Sequence, residues 1–167
     1  GTLERLHIEH RLRQVLERGG LTLHYQPQIA LETGQMLGME ALVRWTDPGL
    51  GRISPTRFVK IAEESGLIVQ LGRWVLHAAC HTVRGWQTQG LPPIPVAVNI
   101  SALQFARPDF VEVVATALAE SGLEPRWLEL ELTESILMAE AGPVLETLHA
   151  LKQLGIRLSI DDFGTGY

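Results

Sequence analysis

Arg157-Leu158-Ser159-Ile160-Asp161-Asp162-Phe163-Gly164-Thr165-Gly166-Tyr167 ends the sequence. Leu158 and Ile160 alternate with polar neighbours, the period of a strand with one buried face. The strand delivers two adjacent carboxylates, Asp161 and Asp162, into a glycine-rich turn. Successive strand side chains point to opposite faces, so neighbouring aspartates serve one spot only where the strand gives way to the turn. Paired carboxylates at a strand mouth suit hard cations, which take oxygen ligands. Upstream lies a helix pattern opened by Pro143, carrying Val144, Leu145, Leu148 and Leu151 and closed by Gly155. Before it Leu128 to Thr133 reads as another strand. Strand, helix, strand is the βαβ unit, whose strands run parallel.

The same rhythm extends toward the N-terminus. Ile94 to Ile100 is a valine-rich strand, followed by a helix capped by Asp109, with Glu112 as capping-box partner, and ended by Gly122. Ile68 to Gln89 predicts a long helix with Leu71, Val75, Ala78, Thr82 and Trp86 along one face. Ser54-Pro55 opens a shorter helix that ends near Gly66. Residues 3 to 18 form an amphipathic helix stopped by Gly19-Gly20. Leu21 to Gln28 and Met36 to Trp45 are strands separated by the turn Glu32-Thr33-Gly34-Gln35, close enough to pair as an antiparallel hairpin. Asp47-Pro48-Gly49 breaks the chain. The expectation is five strands in an α/β fold with a mainly parallel sheet, in one domain with no internal boundary.

Composition bounds the function. The chain has 167 residues, 46% hydrophobic and 20% charged, as in an ordinary globular domain. Its net charge of -5 argues against a nucleic-acid polymer as partner. A single cysteine, Cys80, forbids an internal disulfide, so a reducing, cytoplasmic compartment is expected. No apolar run approaches the roughly 20 residues that span a bilayer, and no membrane contact is expected. His77 and His81 are four apart on the long helix, with Cys80 between them. Ala78 stands where a zinc hydrolase needs glutamate, so packing is the better reading. Asp162-Phe163-Gly164 lacks the glycine-rich loop and His-Arg-Asp segment of a kinase. Trp45, Trp74, Trp86 and Trp127 read as packing residues.

Four polar residues fall at or near strand ends: Glu40, Asn99, Glu131 and Asp161. Asn99 and Glu131 are 32 residues apart, and Glu131 and Asp161 are 30 apart, each about one βα step of roughly 30 residues. Parallel strands at that spacing place them side by side on one rim, the rim where α/β barrels carry their active sites. Three carboxylates and a carboxamide converging there repel one another without a cation; Mg²⁺ or Mn²⁺ resolves the repulsion. A second ion beside Asp161 and Asp162 would make a two-metal site for attack at phosphorus. Any one of these residues alone also reads as a solvated strand end or turn former. Glu40, set between Met39 and Ala41-Leu42-Val43, is costly there unless paired or metal-bound. Arg44 shares the strand face of Glu40 and Leu42; the plainer reading of it is a surface ion pair.

The segments Tyr25-Gln26-Pro27, Glu40-Ala41-Leu42-Val43-Arg44-Trp45, Asn99-Ile100-Ser101, Glu131-Leu132-Thr133-Glu134 and Asp161 to Tyr167 resemble the EAL-domain family, in that family's order and spacing. The resemblance implies a modified TIM (β/α)8 barrel with an antiparallel first strand, of which about five strands are present. It implies hydrolysis of cyclic di-GMP to linear pGpG with two Mg²⁺ or Mn²⁺ ions. Glu40, Asn99, Glu131 and Asp161 would hold the first ion, Asp161 bridging to a second that Asp162 also serves. Glu134 would brace the loop that starts at Asp162, completing the implied catalytic set of Glu40, Glu131, Asp161, Asp162 and Glu134. Gln26, Leu42 and Arg44 would face the substrate, Arg44 on a phosphate, where an always-charged guanidinium fits. The family's later motifs, among them a lysine and a further glutamate ligand, have no counterpart here. The expectation is therefore one EAL domain over residues 1–167, incomplete at its C-terminus and inactive alone, from an active parent. The rival reading is a non-catalytic cyclic di-GMP receptor or regulatory scaffold. The family pattern also allows a homodimer, and an upstream GGDEF or sensory domain reached through residues 1–20.

Overall fold

The computed structural model describes residues 1–139 and 141–161, Asp161 by its backbone alone. Helix α1, Thr2–Arg18, leads into β1, Leu21–Ile29, and β2, Met36–Asp47. A three-residue strand β3, Gly51–Ile53, follows. Helices α2, Pro55–Ser65, and α3, Ile68–Thr88, precede β4, Val96–Ile100. A one-turn helix α4, Ala102–Phe105, and α5, Phe110–Ser121, lead to a 3-10 turn at Pro125–Trp127 and β5, Leu128–Thr133. Another one-turn helix α6, Glu134–Leu137, then α7, Ala141–Leu154, and β6, Arg157–Asp161, complete the described residues.

The strands form one six-stranded mixed sheet in the order β1-β2-β4-β5-β6, with β3 on β2. β1 runs antiparallel to β2, from Leu21 opposite Trp45 to Ile29 opposite Met36. β4 is parallel to β2, β5 to β4 and β6 to β5. This is an α/β fold, part of a TIM-barrel-like sheet whose first strand is reversed, as the sequence predicts. The expected five strands become six because β3 pairs with the end of β2 through Trp45–Ile53, Thr46–Arg52 and Asp47–Gly51. Asp47-Pro48-Gly49 is thus the turn of a hairpin, not a break. Gly51 has φ 76, the left-handed region glycine tolerates.

One face of the sheet is apolar and packs on the helices. Val96, Val98 and Ile100 of β4 and Leu128, Leu130 and Leu132 of β5 are all buried there. The opposite face carries Ala97 and Asn99, Glu129, Glu131 and Thr133. Period-two alternation therefore segregates core from site. On β2, Met39, Ala41 and Trp45 face the core, and the Trp45 ring meets Phe58 of α2 edge-on at 5.5 Å. The buried stripe of α3 runs through Ile68, Leu71, Gly72, Val75, Leu76, Ala79, Cys80 and Val83. The predicted stripe is right at Leu71 and Val75 and then drifts; Trp86 packs against Tyr25 at the stripe's margin instead.

Asp109 precedes α5 but makes no side-chain cap, so the expected capping box does not form. Its carboxylate instead lies 3.5 Å from Arg73 of α3. Ser54 likewise caps α2 through its backbone oxygen, not its hydroxyl. Asp47 has the strongest polar anchor. It receives Arg11 Nε at 2.9 Å and Nη2 at 3.0 Å, and the amides of Gly49 and Leu50 at 2.9 Å each. The Arg11 guanidinium, seconded by those amides, holds its carboxyl below the usual carboxylate range. One buried carboxylate thereby ties α1 to the β2–β3 turn.

Candidate functional site

The polar face of the sheet gathers the sequence-predicted residues. Glu40 lies level with Ala97, two residues below Asn99. Asn99 is level with Glu131. Glu131 is level with Ser159, two residues below Asp161. Every offset is even, so all four residues fall on one face. They are not abreast on the rim, as the equal spacing suggests; the line climbs two residues, roughly 6–7 Å of strand, at β2–β4 and again at β5–β6. Strand tilt in a barrel-like sheet produces this stagger, which sequence spacing does not encode.

Side-chain geometry joins the first pair. Asn99 Nδ2 donates to Glu40 Oε2 at 2.9 Å. With its amide nitrogen committed to Glu40, the Asn99 oxygen is the atom left to accept or ligate. Glu131 is buried at 8% exposure on the neighbouring strand. One step lower, Ser159 Oγ donates to Glu129 Oε2 at 3.0 Å, cross-linking β5 and β6 beneath the site. Among the described side chains no three histidine, cysteine, aspartate or glutamate groups converge. The described donors are two carboxylates and one carboxamide, all hard oxygen ligands of the kind Mg²⁺ and Mn²⁺ take. The side chain of Asp161, and Asp162 with the turn through Tyr167, lie outside the described residues.

The residues expected to face a substrate share this surface. Gln26 is directly opposite Glu40 on β1, and His24 is opposite Leu42. Leu42 and Arg44 are half-buried, and Arg44 Nη1 donates to the Val43 carbonyl at 3.0 Å. A cavity of about 500 Å³ opens beside Glu40, Leu42 and Asn99, where β2 and β4 part above their short pairing. Glu134 begins α6 directly after β5; its Oε2 is buried with no hydrogen-bond partner among the described residues. His77 and Cys80 stand apart: His77 faces Glu120 of α5 at 3.4 Å, and Cys80 is fully buried.

Gln104 also lines the cavity, a residue that the strand-end pattern does not reveal. Its signal is Ser101-Ala102-Leu103-Gln104, a capping-box pattern. The Ser101 hydroxyl does accept the Gln104 amide at 3.2 Å, which caps α4.

A TIM-barrel-like sheet with carboxylate and carboxamide side chains stepping along one face of its parallel strands defines a class: an α/β domain of barrel type with an oxygen-rich polar face. The EAL domain family profile matches residues 9–167, and the chain belongs to that family. It is 49% identical over 164 residues to the bifunctional diguanylate cyclase/cyclic di-GMP phosphodiesterase MucR of Pseudomonas aeruginosa, covering 98% of this chain and 24% of that protein. It is 44% identical over 164 residues to the cyclic di-GMP phosphodiesterase NbdA of the same organism, covering 98% of this chain and 21% of that one. The chain thus spans about a quarter of the length of these relatives. The solved structure of the PaMucR phosphodiesterase in complex with c-di-GMP superposes with a TM-score of 0.90 at 49% identity, covering 96% of this chain and 65% of that one. No described helix is long and apolar enough to cross a membrane.

Proposed function

We propose that this protein is a cyclic di-GMP phosphodiesterase that adds water across one P–O bond of the ring and releases linear pGpG. The observation that carries the proposal is the oxygen-donor line itself: Glu40 bonded to Asn99, Glu131 level with Asn99, and Asp161 two residues further on the same face. Glu40, the Asn99 oxygen, Glu131 and Asp161 would hold one Mg²⁺ or Mn²⁺, and Asp161 with Asp162 a second. Bound there, such ions supply charge neutralisation at the phosphodiester and make water more acidic. The polypeptide orients the substrate. Arg44 offers a permanent positive charge to a phosphate, and Gln26 and Leu42 border it on the same face. Glu134, with a buried acceptor oxygen wanting a donor, fits the role of bracing the segment that follows Asp161.

The test is chromatographic detection of pGpG from cyclic di-GMP with Mg²⁺ or Mn²⁺, using the full-length protein that carries this chain. Turnover with either metal, abolished by EDTA, supports the reading. Binding without turnover in both metals would establish the receptor reading in its place.

A further inference from the structure

Release of pGpG, which keeps its phosphate on a 5′ oxygen, means breaking the P–O3′ bond. The departing ribose oxygen is a strong base and leaves readily only with a proton. The oxygen-donor line offers none: carboxylates are ionised at neutral pH, and asparagine has no titratable proton. Arg44 holds its proton too tightly to give it up.

His24 is different. β1 pairs with β2 through Thr22 opposite Arg44, His24 opposite Leu42 and Gln26 opposite Glu40. Directly opposed residues share a face, so His24 stands with the residues expected to face substrate, while Leu21, Leu23 and Tyr25 pack toward the core. Such a pairing sets it roughly 5 Å from Leu42 and roughly 7–8 Å from Glu40 and Arg44, Cβ to Cβ. Those two are the charged groups flanking it; Thr22 and Gln26 beside it on β1 are neutral. The ring is exposed, and no hydrogen bond or ion pair engages it among the described residues. His7, His10, His77, His81 and His149 lie on the helices α1, α3 and α7. His24 is thus the one side chain on the described strands of this face whose ordinary titration lies near neutral pH.

Its flank of the sheet matches the direction of departure. The oxygen donors run from β2 through β4 and β5 to β6, and β1 pairs with the opposite edge of β2. In-line displacement at phosphorus puts the entering and leaving oxygens on opposite sides. Water entering from the β4–β6 side expels O3′ toward β1. We propose that His24, as imidazolium, donates its proton to that oxygen. The water oxygen bonds to phosphorus as the P–O3′ bond breaks, the bonding pair stays on O3′, and the imidazolium N–H proton completes the 3′-hydroxyl. The proton shed by water passes to solvent, and the imidazole regains one from solvent. The proposal rests on the phosphodiesterase reading above and supplies the acid that reading leaves unassigned.

The test uses the full-length protein with Mn²⁺ and two substrates: cyclic di-GMP, and its analogue with sulfur in place of the leaving 3′ oxygen, a thiolate that departs without a proton. The variants are His24→Gln and His24→Asn, which stay polar and lose the titratable ring. Thermal melts confirm folding, and equilibrium binding of cyclic di-GMP in EDTA reads recognition apart from chemistry. The expected result is a kcat on cyclic di-GMP lowered about 10²–10⁴-fold, the range of a positioned general acid, with kcat on the sulfur analogue and binding in EDTA each within about threefold of the unmodified protein. Equal losses on both substrates in a folded variant overturn the proposal, because the residue then serves the site as a whole. Unchanged turnover of cyclic di-GMP overturns it too, as does weakened binding that accounts for the loss. Each of these leaves the phosphodiesterase reading intact. If the unmodified protein cuts neither substrate, both fall together.

Discussion

Asn99 Nδ2 and Glu40 Oε2 meet at 2.9 Å across 59 residues of sequence, joining β4 to β2. The bond fixes which Asn99 atom remains available and keeps a carboxylate from standing alone on the face. Replacing Asn99 by aspartate removes the donor and sets two like charges in its place. We expect Asn99→Asp to lose about 1 kcal/mol of stability in EDTA, one hydrogen bond's worth, or a midpoint about 2–4 °C lower for a domain of this size. Mn²⁺ should restore much of that loss, because a cation turns the repulsion into ligation. Thermal melts with EDTA and with Mn²⁺ make the comparison. A deficit of equal size in both conditions would remove the cation from the explanation.

Asp47 gives the sharpest stability prediction. It accepts four hydrogen bonds, two of them from Arg11. Asp47→Ala strands the guanidinium and two turn amides, at a cost of about 3 kcal/mol in urea unfolding. Because the folded carboxyl is held below its ordinary range, chiefly by Arg11, its contribution is fully present above the unfolded value of about 3.9. It is lost as pH falls from there through the lower folded value. Asp47→Asn should therefore flatten the acid limb of the stability profile below about pH 4 and leave the neutral-to-alkaline limb unchanged.

Much of this architecture is legible in the sequence, and the exceptions have physical causes. Alternation in Leu128–Thr133 and the Glu40 anomaly in β2 reveal strand faces directly, because burial follows a period of two. β3 escapes because three residues carry no period, and Gly51 pairs for reasons that lie in β2. The stripe of α3 is misplaced because an amphipathic helix in contact with both α5 and the sheet buries more than one line of residues. Asp109 is drawn away from its helix by Arg73. The stagger from Glu40 to Asp161 depends on strand tilt, a property of the assembled sheet. Gln104 is buried against α3 only because Gly72, 32 residues earlier, leaves it room.

Cys80 lies in the core between α3 and its neighbours, and burial pushes its thiol up to about 12. The thiolate is the nucleophile, so the folded protein should leave Cys80 unmodified by a disulfide-exchange reagent at pH 8, and modification should track unfolding in urea. The folded value exceeds the unfolded one of about 8.5. The stabilisation is thus complete below about pH 8.5 and declines as pH rises toward 12. Prompt labelling without denaturant would place the thiol at the surface.

Glu40 separates shape from chemistry. Glu40→Gln keeps the length of the side chain and an oxygen able to accept from Asn99, so the β2–β4 link survives and the fold should melt within about 1 kcal/mol of the parent. What it removes is the negative charge. If Glu40 is there for hydrogen bonding alone, turnover of cyclic di-GMP by the full-length protein should hardly change. If it is a cation ligand, turnover should fall by more than about a hundredfold, beyond the range seen for groups that merely support a ligand. The metal concentration for half-maximal rate should rise as well. The second outcome is expected, because a carboxylate set between Met39 and Ala41 in the interior of β2 is worth its desolvation only when something positive lies against it.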